Sequence, residues 1–230
     1  WVQYNFLNLP SKIQMYNGDK TQYLYDASGV KRQAKYFIAL NPMQIPLGDE
    51  RNENINNISG SLTKDYLDVF VFEKGSIKRI LMPDGYIEAG SPDYTRWKRI
   101  YQVKDHLGNV RVEIETDKLS SSSPSYTFRS SSAYYPFGTQ MATLASLSPQ
   151  KVQPYQVSGN EMENNGTGWH DFHHRWYDQQ LGRFLSMDPL AELDYSLSPY
   201  AYCNNNPVNL IDPVGLQAFN DDQWITPPPV

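Results

Sequence analysis

Short runs of alternating apolar and polar residues, each closed by a glycine-bearing turn, fill the first half of the chain. "YLYDASGVKRQAKYFIAL" (Tyr23 to Leu40) reads strand, turn, strand. The pattern returns in "YLDVFVFEKGSIKRILMPDGYIEA" (Tyr66 to Ala89) and in "RWKRIYQVKDHLGNVRVEIET" (Arg96 to Thr116). A period of two sends successive side chains to opposite faces of a strand. In the second run Val69 and Val71 alternate with Phe70 and Phe72, so all four positions are apolar and burial on both faces is expected. The turns "EKGS", "PDGY" and "HLGN" place Gly where a positive φ is wanted. These elements predict an antiparallel β-meander rather than a βαβ array.

Two segments break the alternation. "NPMQIPLGDERNENINNISGS" (41–61) is Asn-rich and "LSSSSPSYTFRSSS" (119–132) is Ser-rich; both read as long loops between hairpins. From Trp169 onward the text becomes dense, aromatic and turn-rich. It holds one or two short helical turns near "SMDPLAEL", where Ser186 is placed to cap and Pro189 to sit in the first turn. "DASGVKR" (Asp26 to Arg32) and "DHLGNVR" (Asp105 to Arg111) share the pattern D-x-x-G-x-x-R, and "YDQQLGR" (Tyr177 to Arg183) is a relaxed third copy. The physical reading is a stacked hairpin unit in which Asp bonds turn amides and Gly takes positive φ.

Composition agrees with a folded, mainly β chain. Its 230 residues make one large domain or two small ones, and 40% hydrophobic against 20% charged residues is enough for a packed core. The 17 tyrosines favour pleated, half-buried surfaces. A net charge of −5 argues against binding a nucleic-acid backbone. The single cysteine, Cys203, allows neither an internal disulfide nor a cysteine zinc site, and reads as a small buried hydrophobe. No apolar run reaches the roughly 18 residues of a membrane span. The chain opens at Trp1 without a signal-like segment, so it is expected to be a fragment, or the processed end, of something longer.

"YLYDASGVKR" resembles a tyrosine-aspartate (YD) repeat of Rhs proteins. "YQVKDHLGNVRVEIE", "YYPFG", "GWHDFHHRWYDQQLGRFLSMDPLAE" and "SPYAYCNNNPVNLIDPVGL", in that order, resemble the Rhs repeat-associated core domain in its Bacteroidetes-type wording. The same core closes the C proteins of insecticidal toxin complexes. The resemblance implies a mainly β fold: a strip of antiparallel hairpins, the YD/Rhs shell, ending in a compact, turn-rich plug. It implies degenerate repeats over 1–100, the core domain over 101–216 and a tail over 217–230. It further implies a shell enclosing a C-terminal effector, and in many members an intramolecular aspartic protease that cuts just after D-P-x-G-L. Here "IDPVGL" would end the plug, the turn at Pro213 and Gly215 would present the bond, and Leu216–Gln217 would be cut. The tail is too short for a toxin, so the effector is expected to be missing or truncated. Implied partners are that effector segment, the rest of the shell, and a secretion component or immunity protein; the implied location is secreted or at the bacterial surface.

Aspartic proteolysis needs two carboxyls sharing one proton, one acting as base on a water while the other stays protonated toward the scissile carbonyl. Asp188 of "SMDPLAE" and Asp212 of "NLIDPVGL" match the family's catalytic positions. They lie 24 residues apart, so a chain reversal must bring them together. Arg183 of "LGRFLS" falls on a family motif and takes a supporting role, orienting the peptide or bonding a carboxylate. No metal and no cofactor is expected. Read without the resemblance, Asp212 can simply cap its turn and Asp188 a helix. Likewise His170, Asp171, His173 and His174 read as turn and strand packing ahead of metal ligation. Two other functions compete with self-cleavage: a purely structural shell or surface module with an intact Leu216–Gln217 bond, and carbohydrate binding through exposed aromatics.

Overall fold

One turn geometry recurs along the chain. In a five-residue loop the first residue's N–H donates to the carbonyl of the fifth, the fourth residue's N–H donates to the carbonyl of the first, and the fourth takes a positive φ. It appears at 5–9, 15–19, 26–30, 105–109, 135–139 and 156–160. At Asp26 and Asp105 the side chain adds to it: Asp26 Oδ1 accepts from the Ser28 and Val30 amides, and Asp105 Oδ1 from the Leu107 and Asn109 amides. The expected D-x-x-G unit is thus a real hairpin closure.

The computed structural model describes residues 1–40, 58–90, 97–116, 125–141, 153–163, 166–193 and 195–220. Eleven strands form one sheet: β1 (Val2–Tyr4), β2 (Pro10–Gln14), β3 (Lys20–Tyr25), β4 (Lys31–Ala39), β5 (Ile58–Leu67), β6 (Phe70–Glu73), β7 (Ser76–Met82), β8 (Gly85–Ala89), β9 (Trp97–Lys104), β10 (Val110–Thr116) and β11 (Thr127–Ser131). Their spatial order is their sequence order, and neighbours run antiparallel, as a meander requires. A second, four-stranded sheet follows from β12 (Glu161–Met162), β13 (His170–Asp171), β14 (Trp176–Asp178) and β15 (Arg183–Phe184). A final two-stranded ladder joins β16 (Leu210–Ile211) to β17 (Phe219–Asn220).

Several boundaries differ from expectation. The Asn-rich loop is shorter than 41–61: its last residues belong to β5, where Ile58 pairs with Ala39 and Gly60 with Ile38, while 41–57 lie outside the described residues. The Ser-rich loop is likewise shorter than 119–132, because "TFRSS" is β11. Arg129 is buried there and donates to Glu88 at 2.9 Å, and Ser130 donates to Glu113 at 3.2 Å. β9 spans residues 100 and 101, which pair there with both β8 and β10. Val69 and Val71 do not share one burial: Val71 is buried, whereas Val69 is exposed beside the positive-φ turn at Asp68. Near "SMDPLAEL" only a 3-10 turn forms, at Ala191–Leu193, and Asp188 rather than Ser186 caps it, accepting from the Leu190 amide at 2.8 Å.

Aromatic packing ties strip to core. Trp176 of β14 stands edge-on to Tyr23 of β3, ring centres 4.9 Å apart, within a cluster holding Leu9, Ile13, Ala34 and Tyr36. Beneath it lies a buried ionic network. Lys31 meets Glu161 at 3.0 Å and Asp171 at 2.7 Å, Lys64 meets Glu161 at 3.1 Å, and the Tyr66 hydroxyl donates to Glu161 at 2.9 Å. A second cluster, with Phe172, Tyr177, Phe184 and Tyr202 in mostly edge-to-face contact, fills the core domain itself. This second cluster is the floor on which the candidate site stands.

Candidate active site

Asp212 follows β16 directly, and its burial is set by the turn it builds. Its Oδ1 accepts from the Gly215 amide at 2.7 Å and the Leu216 amide at 3.1 Å, folding Pro213–Leu216 back over the carboxylate. Gly215 has φ +75°, and a Cβ there would stand 3.0 Å from the Phe172 carbonyl oxygen and 3.2 Å from the Arg175 nitrogen. Both the backbone angle and the close approach call for glycine. Asp188 reaches the same place from the other side of the reversal. Its Oδ1 caps the turn at Leu190, its amide donates to the Pro199 carbonyl at 2.9 Å, and Oδ2 points inward.

Between them lies Arg175, which the sequence reading did not single out. Its Nη2 stands 2.9 Å from Asp188 Oδ2 and 3.3 Å from Asp212 Oδ2, so the two carboxylates converge on one nitrogen. Its Nε donates to the Gly215 carbonyl at 2.6 Å and its Nη1 to the Pro199 carbonyl at 3.2 Å, while the guanidinium stacks 3.7 Å over the Phe184 ring. The guanidinium is 2% exposed, so a buried cation is matched by two acids and two carbonyls. Burial pulls its pKa down, opposed by Asp188 and Asp212. Burial also pushes the Asp212 carboxyl up to about 6, against the pull of Arg175 and the two turn amides, with Asp188 adding to the rise.

Asp188, Asp212 and Arg175 line a cavity of about 220 Å³ together with Leu216 and Gln217. The structure thus gathers both sequence-derived aspartates, the Pro213–Gly215 turn and the two residues flanking the expected bond. It does not bring Arg183 there. Arg183 lies on β15, opposite Asp178 and bridged to Ala201, with its side chain exposed while Phe184 turns inward. The sequence holds no local signal for Arg175, whose acidic partners at 188 and 212 are brought to it only by the fold. Cys203 lines the same cavity, and burial pushes its thiol up to about 12, which leaves it a poor nucleophile at neutral pH. Of the histidine run, His170 is buried with neither ring nitrogen bonded among the described residues, and burial draws its pKa down to about 3. Asp171 is engaged by Lys31, and His173 and His174 are exposed. Chemically, the cavity offers two carboxyls, one of them able to hold a proton near neutrality, next to a peptide bond of the same chain.

No protein-family model matches the chain. Salivary gland surface protein 1 of Aedes aegypti is 29% identical over 167 residues, which cover 71% of this chain and 4% of that protein. Toxin subunit YenC2 of Yersinia entomophaga is 34% identical over 131 residues, covering 56% of this chain and 12% of its own length. Among solved structures, a chain of TcdB2-TccC3 aligns with 94% of this chain and 10% of its own length, at a TM-score of 0.64 and 19% identity. The chain therefore spans a small part of each of these relatives. Its likeness to the toxin-complex C proteins holds in sequence and in fold. No helix among the described residues is long and apolar enough to cross a membrane.

Proposed function

We propose that this chain is the C-terminal core of an Rhs-type toxin shell and that it cuts itself once, after Leu216, as an intramolecular aspartic protease. The observation that carries the reading is the convergence of Asp188 and Asp212 on one Arg175 nitrogen, in the cavity that also holds Leu216 and Gln217. Asp212 keeps its proton and polarises the Leu216 carbonyl; Asp188, ionised against Arg175, takes a proton from the attacking water. Arg175 stabilises the ionised partner and, through the Gly215 carbonyl, fixes the turn before the bond. Because the substrate is already attached, high effective molarity compensates for a modest site. The wider reading follows from the toxin-complex relatives: the effector segment is the partner released inside the shell, the remaining hairpins enclose it, and the parent is exported or displayed at the cell surface.

A second reading has its own support. Asp212 satisfies two turn amides and both carboxylates are ion-paired, so the cluster also serves as a structural clasp in a shell module without proteolysis. Intact mass spectrometry of the chain beside Asp212→Asn separates the two. Self-cleavage gives a wild-type mass ending at Leu216 and an uncut variant; an uncut wild type at neutral and mildly acidic pH leaves only the clasp.

A further inference from the structure

β17 begins two residues beyond the proposed cut, and its partner β16 ends one residue before Asp212. Leu210 pairs with Asn220 and Ile211 with Phe219, antiparallel. Carried one step toward the turn, that register sets Ala218 across from Asp212, and a second step sets Gln217 across from Pro213. The strand that delivers the carboxylate is therefore also the template on which the downstream side of the bond is laid. Ala218 packs against the aromatic cluster of the core, and Gln217 and Ala218 both line the cavity that holds the two aspartates. Gln217 itself is exposed. A segment captured this way is read through its backbone, with alternate side chains adding selectivity.

We propose that Leu210–Ile211 is a strand-addition subsite for the downstream side of the scissile bond, positioning Leu216–Gln217 at the carboxyl pair before cutting and keeping the cut chain docked afterwards. Its ligand class is an extended peptide with a small residue second after the cut. This rests on the self-cleavage reading above. Hydrolysis consumes one water and breaks the bond between the Leu216 carbonyl carbon and the Gln217 nitrogen. Both of the water's protons end on the Gln217 nitrogen, so the products are a carboxylate on Leu216 and an ammonium on Gln217, with no net proton gained or lost. Neither new end removes the pairing of β16 with β17 or the contact of Ala218. The new ammonium also arises beside two acids, an attraction that the intact amide lacks.

The test compares the full wild-type chain with Phe219→Pro/Asn220→Pro, Ala218→Trp and Phe219→Tyr, with near-UV circular dichroism as the check on folding. Time-resolved intact mass reads cutting, and size exclusion followed by mass reads whether residues 217–230 co-elute with 1–216. Adjacent residues of an antiparallel ladder alternate in bonding their partner strand, so the double proline removes whichever of the two amides β17 offers to β16 and is expected to slow cutting by about tenfold or more. Phe219→Tyr keeps the backbone and stays within about twofold. Wild-type 217–230 is expected to co-elute with the body, and Ala218→Trp to shed it, a loss that a purely structural role for β17 does not require. Cutting at the wild-type rate in a folded double-proline chain overturns the positioning role. Free elution of the wild-type fragment overturns docking while self-cleavage stands, and this readout needs no variant to fold. An uncut wild type overturns self-cleavage, and the subsite with it.

Discussion

At Arg175 one nitrogen is shared by two carboxylates, so protonating either acid weakens that acid's hold while leaving the other in place. The raised Asp212 carboxyl has a direct consequence for rate. Its pKa moves from 3.8 to about 6, so the protonated form the mechanism needs is lost as pH rises past that value. Cutting, followed by intact mass from pH 5 to 8, is expected to fall by about tenfold per pH unit on the alkaline side. Stability follows the same sign: a carboxyl whose folded pKa exceeds its unfolded one favours the fold below 3.8, and that contribution is lost as pH rises through about 6. Asp188, Asp212 and the Pro213–Gly215 turn were picked out because they fall on short motifs that resemble the family's; read alone, those motifs give only turn caps. Arg175 was not, because its partners lie at sequence positions 188 and 212 and its neighbours are histidines and aromatics that draw attention to themselves. Arg183 was favoured because it falls on a motif of the resembled family, yet the period of a strand turns it outward and Phe184 inward.

Among the elements, the recurring five-residue turn shows where pattern reading stops. The D-x-x-G spelling exposes the turns at Asp26 and Asp105, but backbone bonds alone define the geometry, so Met15, Tyr135 and Gln156 open the same loop without an acid. At 5–9 Asn5 does the work of Asp and Asn8 stands at φ +57° where Gly is usual. The loop boundaries at 61 and 119–132 were missed because Ser, Gly and Asn lower the strand signal of any segment, while pairing to β4 or β10 overrides it. Where β7 turns into β8, the glycine is demanded by space as well as by angle. Gly85 has φ +143°, and a Cβ would fall 2.0 Å from the Ile100 carbonyl oxygen. Gly85→Ala is expected to cost more than about 1 kcal/mol of stability in chemical denaturation, because backbone on the neighbouring strand must move.

Over the whole molecule, strip and core are joined by charge as well as by rings. Burial pulls Lys31 down, but Asp171 and Glu161 outweigh it and hold its ammonium well above the usual lysine range. Removing that cation leaves buried Asp171 without its ion pair and Glu161 with only Lys64 and the Tyr66 hydroxyl, so Lys31→Met is expected to lose about 3–5 kcal/mol in equilibrium unfolding. Arg99, paired with a half-exposed Asp84, is expected to lose less than about 1 kcal/mol on the same change. No composition or spacing in the sequence pairs Lys31 with residues 130 and 140 positions away; only the closure of the core onto the first hairpins does. That closure also bears on timing. A meander whose strands pair strictly in chain order has mostly local partners and can be laid down hairpin by hairpin as it leaves the ribosome. Trp176, Glu161 and Asp171 are made long after Tyr23 and Lys31, yet they seat on them. A later-made stretch thus locks an earlier one, and residues 175, 188 and 212 meet only once the wall before them exists. A nascent chain that stalls before residue 188 lacks the carboxyl pair, and one that has passed residue 212 carries both acids and Arg175 on a wall already laid down.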